Sequence, residues 1–368
     1  MQRTSPAILA QALLGWIAGE RRDFPWRRRR DPYAVWISEI MLQQTQASTV
    51  VPYYERWMQQ FPDVSILAAA PLDAVLKAWE GLGYYARARN IHRAAGIIVA
   101  QHSGYIPSDM NDLLALPGIG RYTAGAILSL SYGQVAPVLD GNVRRLLSRV
   151  DNVTEDSTSP PAERLLWDRA TALVEAVSSR SAGDLNEAMM ELGATICTPR
   201  RPDCPACPLH DHCVAYALGV QHSRPVIPPK PPVPRYDAVA ALIARGDGHR
   251  YLMVRRPYEG LLGGLWGFPN ALVNPERSSR EQLLDSMREQ LGIQVEAGQR
   301  LAVIKHAYTH FRIVLEVLRC TLVAGEPRAG HYPEVAWADR SEMRARALAA
   351  TDRKIIARIG ADANEEMK

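Results

Sequence analysis

Six prolines fall within the twelve residues 224–235, RPVIPPKPPVPR. Proline fixes φ and has no N–H, so such a stretch enters neither a helix interior nor the middle of a sheet. It favours an extended, semi-rigid polyproline spacer. A chain of 368 residues crossed by one is expected to fold as two or three domains with separate cores. The pattern changes across it. Upstream, periodic apolar stretches separated by short Gly/Pro turns predict a mostly helical region. Downstream, YDAVAALIARGDGHRYLMVRR predicts two strands around a GDG turn, and RLAVIKHAYTHFRIVLEVLRCTLV predicts further strands. Between them SSREQLLDSMREQLGI predicts a capped helix. The expected division is 1–224, a 225–235 linker and an α+β domain over 236–368.

Composition excludes little else. Hydrophobic content of 47% and charged content of 22% are those of an ordinary soluble protein. No run approaches the length of a membrane span, and SPAILAQALLGWIAGE predicts an amphipathic helix instead of a leader. Net charge is +4, only mildly basic, but six arginines cluster in residues 21–30. Such a run is ordinarily a solvated face and is also an electrostatic footprint for phosphates.

Four of the five cysteines, Cys197, Cys204, Cys207 and Cys213, lie in CTPRRPDCPACPLHDHC with six, two and five residues between them. Thiolates gathered this tightly in a Pro-rich loop ligate zinc or an iron–sulfur cluster, and spacing alone does not choose. Cys320, alone in an apolar strand, reads as core.

Two carboxylates stand out. In the helix predicted after the Asp31–Pro32 start, Glu39 shares a face with Val35, Trp36 and Leu42. An acid there is costly unless paired, and desolvation raises its proton affinity. Asp140 precedes the helix of LDGNVRRLLSR, where it caps the N-terminus and is held ionised by N–H groups and the helix dipole. One acid pushed up and one pushed down is the arrangement that cleaves glycosidic bonds. Between them LPGIGRYTAGAIL places Gly118 and Gly120 in a turn between two helices, the first capped by Ser108. Outward N–H groups in such a turn grip a phosphate without reading sequence.

Taken together, SEIMLQQTQ, LPGIGRYTAGA, LDGNV and the cysteine loop resemble the iron–sulfur helix-hairpin-helix DNA glycosylases, and within them the MutY-type adenine DNA glycosylases. The resemblance implies a multidomain chain: an all-α helix-hairpin-helix glycosylase with an iron–sulfur cluster loop, then an α+β Nudix-like C-terminal domain. The hairpin module would take about 26–134 and the cluster module 1–25 with 135–224. It implies a 4Fe–4S cluster on Cys197, Cys204, Cys207 and Cys213. It assigns Glu39 to protonate adenine, Asp140 to stabilise the sugar cation, and Asn142 to support Asp140. Tyr122 stands where the endonuclease III type has its nucleophilic lysine, and Arg144 replaces another family lysine, so the chain is expected to be monofunctional.

The same resemblance extends to the DNA contacts. Gln44 matches an intercalating wedge and Leu42 a neighbour of the flipped adenine. Tyr84 suits stacking beside the lesion, with Arg87, Arg89 and Arg93 near phosphates. Arg27 and Glu187 resemble residues that hold the adenine pocket. In the tail, Tyr308, Thr309 and His310 stand in place of a Phe-Ser-His loop that reads 8-oxoguanine. Of the acids an active Nudix helix needs, only Glu289 remains, beside Asp285, Ser286 and Gln290. The implied partner is double-stranded DNA with adenine opposite 8-oxoguanine or guanine, bound by a monomer in a bacterial-type cytoplasm, without membrane attachment. The competing readings are a bifunctional endonuclease III-like lyase, a nucleotide pyrophosphatase and a noncatalytic DNA-binding scaffold.

Overall fold

In this computed structural model, which describes residues 4–229, 231–246, 248–260 and 262–365, the Pro32–Leu42 helix explains the placement of Glu39. Asp31 accepts from the Ala34 N–H at 2.9 Å and starts the helix, with Pro32 in its first turn. Nine of its eleven residues are buried, because it packs against both Ala47–Gln60 and Arg121–Tyr132. A helix enclosed on every side has no solvent face to which an acid can be assigned. Tyr33, Trp36, Trp57 and Phe61 fill one side of it, with the Tyr33 hydroxyl donating to the Phe61 carbonyl at 2.7 Å.

That helix belongs to the first of two compact units, Met1–Ala69 with Asn90–Lys230. A second cluster in this unit gathers the stripe Leu9, Leu13 and Ile17 of the Pro6–Glu20 helix against Leu146 and Leu147 of Gly141–Val150 and Leu185 and Leu192 of Ser179–Thr195. The sequence placed the cap of the Met110–Ala115 helix on Ser108, but Asp109 makes it, accepting from Asn111 and Asp112. Asp109 directly precedes the first helical residue, so its carboxylate reaches both orphan N–H groups.

The second unit is Ala70–Arg89 with Pro231–Lys368. Its described strands are β1 (Arg235–Ala244), β2 (Tyr251–Arg255), β3 (Trp266–Gly267), β4 (Asn270–Leu272), β5 (Gln294–Ala307), β6 (Arg312–Ala324) and β7 (Val335–Ala338). They form one mixed sheet with the path β3-β2-β1-β6-β5, while β4 pairs with β1 and β7 with β2. β1 and β6 run parallel in the register Val239↔Glu316. Alternate residues of β1 serve different cores: Val239, Ala241 and Ile243 meet Leu283, Met287 and Leu291 of the Ser279–Leu291 helix, and Ala238, Ala240 and Leu242 join the core of Ile355, Ile356 and Ile359. Burial on both faces explains the unbroken apolar run of this strand. The expected hairpin exists, closed by Ala244↔Tyr251, though Asp247 of its GDG turn lies outside the described residues. The Ser279–Leu291 helix is capped at its C-terminus by Gly292, while Ser278 makes no side-chain cap bond.

Ala70–Arg89 joins this sheet-based unit by specific ties. Arg255 pairs with Asp73 at 2.5 Å, Lys77 donates to the Arg344 and Arg346 carbonyls, and Glu80 accepts from the Leu348 N–H.

Candidate active site

Glu39, 6% exposed, receives a short hydrogen bond from the Tyr122 hydroxyl. Burial pushes its carboxyl up to about 7, with Asp140 and Glu187 adding to the rise and Tyr122 and Arg27 opposing it. An acid with a pKa near neutrality is half protonated at working pH, as a proton donor must be. Tyr122, whose hydroxyl also lies 3.2 Å from Met190 Sδ, is held well above its ordinary pKa by burial and the two acids. It acts here as a neutral donor.

Asp140 caps Gly141–Val150 through the Val143 N–H at 2.7 Å and accepts from Asn142 Nδ2 at 2.8 Å. The sequence placed its pKa below the ordinary value. Instead burial raises it, and the bonds from Val143 and Asn142 only partly offset that cost. The capping bonds are as expected, but a helix start enclosed by protein loses the hydration that an exposed one keeps. Behind Asp140 runs a chain of contacts absent from the sequence reading. Arg145 donates to Asn142 Oδ1 at 2.9 Å, to the Gly193 carbonyl at 2.7 Å and to the Cys197 carbonyl at 2.7 Å. Gly193 permits it, since a Cβ there would stand 2.7 Å from the Asn142 Cβ.

Glu39, Trp26, Arg27, Ser38, Glu187 and Met190 help to line one narrow cleft, with about 40 Å³ open to water. That is room for a few waters. Arg27 pairs with Glu187 at 2.7 Å and with Glu191 at 2.7 Å. The arginine run is therefore not a free phosphate footprint: Arg21, Arg22, Arg27 and Arg30 engage Asp184, Glu187 and Glu191. The missed signal was the spacing of those acids, three and four apart on one helix face, opposite a cationic run.

In the hairpin Gly118 has φ +82, and a Cβ there would meet Asn90 Cβ at 2.8 Å. Gly120 caps Arg121–Tyr132 and faces open space, so a phosphate can approach its N–H closely. Gln44 is exposed with φ +57, a left-handed conformation unusual for a side-chain-bearing residue, while Leu42 is half-buried at the end of the Glu39 helix.

Tyr84 shares that conformation, φ +49, and lies edge-on to His310 with ring centroids 5.5 Å apart. Arg87 and Arg89 turn inward: Arg87 donates to the Leu82 and Gly83 carbonyls and Arg89 to Gly263 at 2.6 Å, while Arg93 is exposed. Tyr308 also turns inward, stacking on Phe311 at 4.6 Å with its hydroxyl 3.3 Å from that of Thr351. Only Thr309 and His310 of that triplet are exposed. Asp285, Ser286, Glu289 and Gln290 border a cavity of about 540 Å³, where Arg277 holds Asp285 at 2.6 Å.

The four loop cysteines border one pocket, backed by Leu146, Val150, Ile196 and Leu209. They are free thiols, and Arg149 donates to Cys197 Sγ at 3.2 Å. Burial pushes the Cys204, Cys207 and Cys213 thiols up, Cys207 to about 12. Only a cationic centre bound there would hold them as thiolates. The all-sulfur donor set is of the kind that takes zinc or an iron–sulfur cluster, although among the described residues no group of three or more such side chains is gathered closely enough to hold a metal ion.

Residues 37–171 match the model of the HhH-GPD superfamily base excision DNA repair protein, and residues 239–358 that of the NUDIX domain. Adenine DNA glycosylases of Rattus norvegicus and Homo sapiens are each 35% identical, with 94% of this chain aligned to 76% and 72% of theirs. That of Buchnera aphidicola subsp. Schizaphis graminum is 42% identical, with 57% of this chain aligned to 60% of its own. A solved structure of a thermostable thymine-DNA glycosylase superposes with a TM-score of 0.53 at 28% identity, over 58% of this chain and 97% of that one.

Proposed function

For this chain, which belongs to the adenine DNA glycosylase family, we propose a monofunctional reaction on adenine mispaired with 8-oxoguanine or guanine. Removal of adenine from DNA in base-excision repair is its activity.

The contact between Tyr122 and Glu39 carries the reading. Glu39 gives its proton to the adenine ring, the C1′–N9 electron pair leaves with the base, and the Asp140 carboxylate faces the resulting sugar cation. Water adds to C1′ and its proton passes to a carboxylate. Tyr122 has no amine to form a Schiff base, so the strand stays intact at the abasic site. Arg27 and Glu187 border the base, Gln44 fills the gap in the duplex, and Gly118 and Gly120 present N–H groups to a phosphate. Thr309 and His310, in the connection between β5 and β6, and Tyr84 face the base opposite, with Tyr308 bracing that connection. A 4Fe–4S cluster on the four cysteines would cross-link a loop otherwise poor in regular structure. The enzyme acts as a monomer in the compartment that holds the DNA.

Duplexes with adenine opposite 8-oxoguanine or guanine test this, assayed with and without hot alkali. Strand breaks only after alkali are expected, faster for the 8-oxoguanine pair. Breaks without alkali, or a borohydride-trapped adduct, would show a lyase instead.

A further inference from the structure

Glu191 is not among the residues that line the cleft, yet it is 1% exposed beside it, on the Ser179–Thr195 helix. Arg22 donates to both of its oxygens, and Arg27 Nη2 donates to its Oε2 at 2.7 Å. Arg27 divides its guanidinium further: Nε meets Glu187 Oε1 at 2.7 Å and Nη1 donates to the Arg22 carbonyl at 2.9 Å. Glu187 and Glu191, four apart on one helix, would repel each other without the arginine between them. Against the cost of burial, Arg22 and Arg27 hold the Glu191 carboxyl below the usual range, so it stays an anion. The groups acting most on Glu39 are Tyr122, Asp140, Arg27 and Glu187, and Arg30, paired with Asp184 and Glu187, is a second cation lining the cleft; Arg27 is the cation that acts on Glu39 most directly.

We propose that Glu191 is a positioning residue for base excision: it fixes Arg27 with Nε towards Glu187, and it offsets a positive charge that would otherwise draw the proton from Glu39. The inference rests on Glu39 as the proton donor. Losing the Glu191 charge leaves Arg27 less neutralised, and a bare cation favours the carboxylate form of Glu39. The rate would then fall at a lower pH than in the wild type.

Single-turnover adenine release by full-length protein, followed across neutral pH, tests this with two variants of opposite sign. Glu191→Gln should keep its rate on the acid side and move the falling limb down, lowering the rate above neutrality about three- to tenfold. Arg22→Gln removes a cation and should move the limb up, by less, because Arg22 is 44% exposed and screened. A Glu191→Gln profile of wild-type shape, scaled uniformly, would reduce Glu191 to a fold-supporting residue and overturn the inference. Should Glu191→Gln fail to fold, Arg22→Gln decides, and an unmoved limb overturns it. Glu39→Gln separates the two readings: wild-type activity in that variant sinks the proton-donor role itself. An inactive Glu39→Gln with an unmoved Glu191→Gln limb sinks only this inference.

Discussion

At the residue scale, the site turns on where one proton sits. Glu39 has its carboxyl raised to about 7 by burial, so the competent acid is present below that pH and lost above it. Adenine release is therefore expected to fall tenfold per unit as pH rises beyond about 7, one proton being lost. Tyr122 donates to the ionised form, so Tyr122→Phe should raise the Glu39 pKa further and move that limb to higher pH. A limb moving down in Tyr122→Phe would contradict the hydrogen bond's direction. Glu39→Gln should cost at least the ~10²–10⁴-fold of general acid catalysis, and Asp140→Asn, which removes the anion facing the sugar cation, should also abolish release, while duplex binding persists in both. Single-turnover rates beside binding constants check both.

At the element scale, the two glycines of the hairpin separate folding from function. Gly118→Ala puts a side chain at φ +82 and against Asn90, at a cost of roughly 1–3 kcal/mol to be read as a lowered melting temperature. Gly120→Ala meets open space and an ordinary φ, so stability should hold while affinity for duplex DNA drops. Equal effects of the two on stability would refute this contrast. The cysteine loop makes its own prediction. Protein purified without air should carry about four iron atoms per chain and visible absorbance, and Cys204→Ser should lower both. Stoichiometric zinc without iron would reverse the choice of metal.

At the scale of the whole molecule, a fragment ending near Arg224 keeps both carboxylates, the hairpin and the cysteine loop. It should still release adenine. It lacks Thr309 and His310, and it leaves Ala70–Arg89 without Arg255 and the Arg344 and Arg346 carbonyls that hold it. Tyr84 then loses its ring contact with His310. The fragment should lose most of the 8-oxoguanine preference, on the order of 1–3 kcal/mol per base read. The ratio of single-turnover rates for the two mispairs measures it, and an unchanged ratio would assign the reading to the helical unit.

Sequence alone determined whatever is local or carried by a motif: the Asp31 and Asp140 caps, the hairpin glycines, the cysteine spacing, and the change from helical to strand pattern beyond the proline run. Caps, turns and strand alternation depend on neighbours within a few residues, so the chain states them directly. Tertiary structure decided what depends on distant partners. It pushed the Asp140 pKa up, because burial is set by the whole unit and outweighed the local hydrogen bonds. It spent the arginine run on Asp184, Glu187 and Glu191, more than 150 residues away. It turned Tyr308 inward and brought Tyr84 to His310 across 226 positions of sequence. Local pattern does not name the partner in such pairings, because Coulomb and packing forces act through space; the spacing of Asp184, Glu187 and Glu191 marked a face ready for cations, but not which cations would meet it.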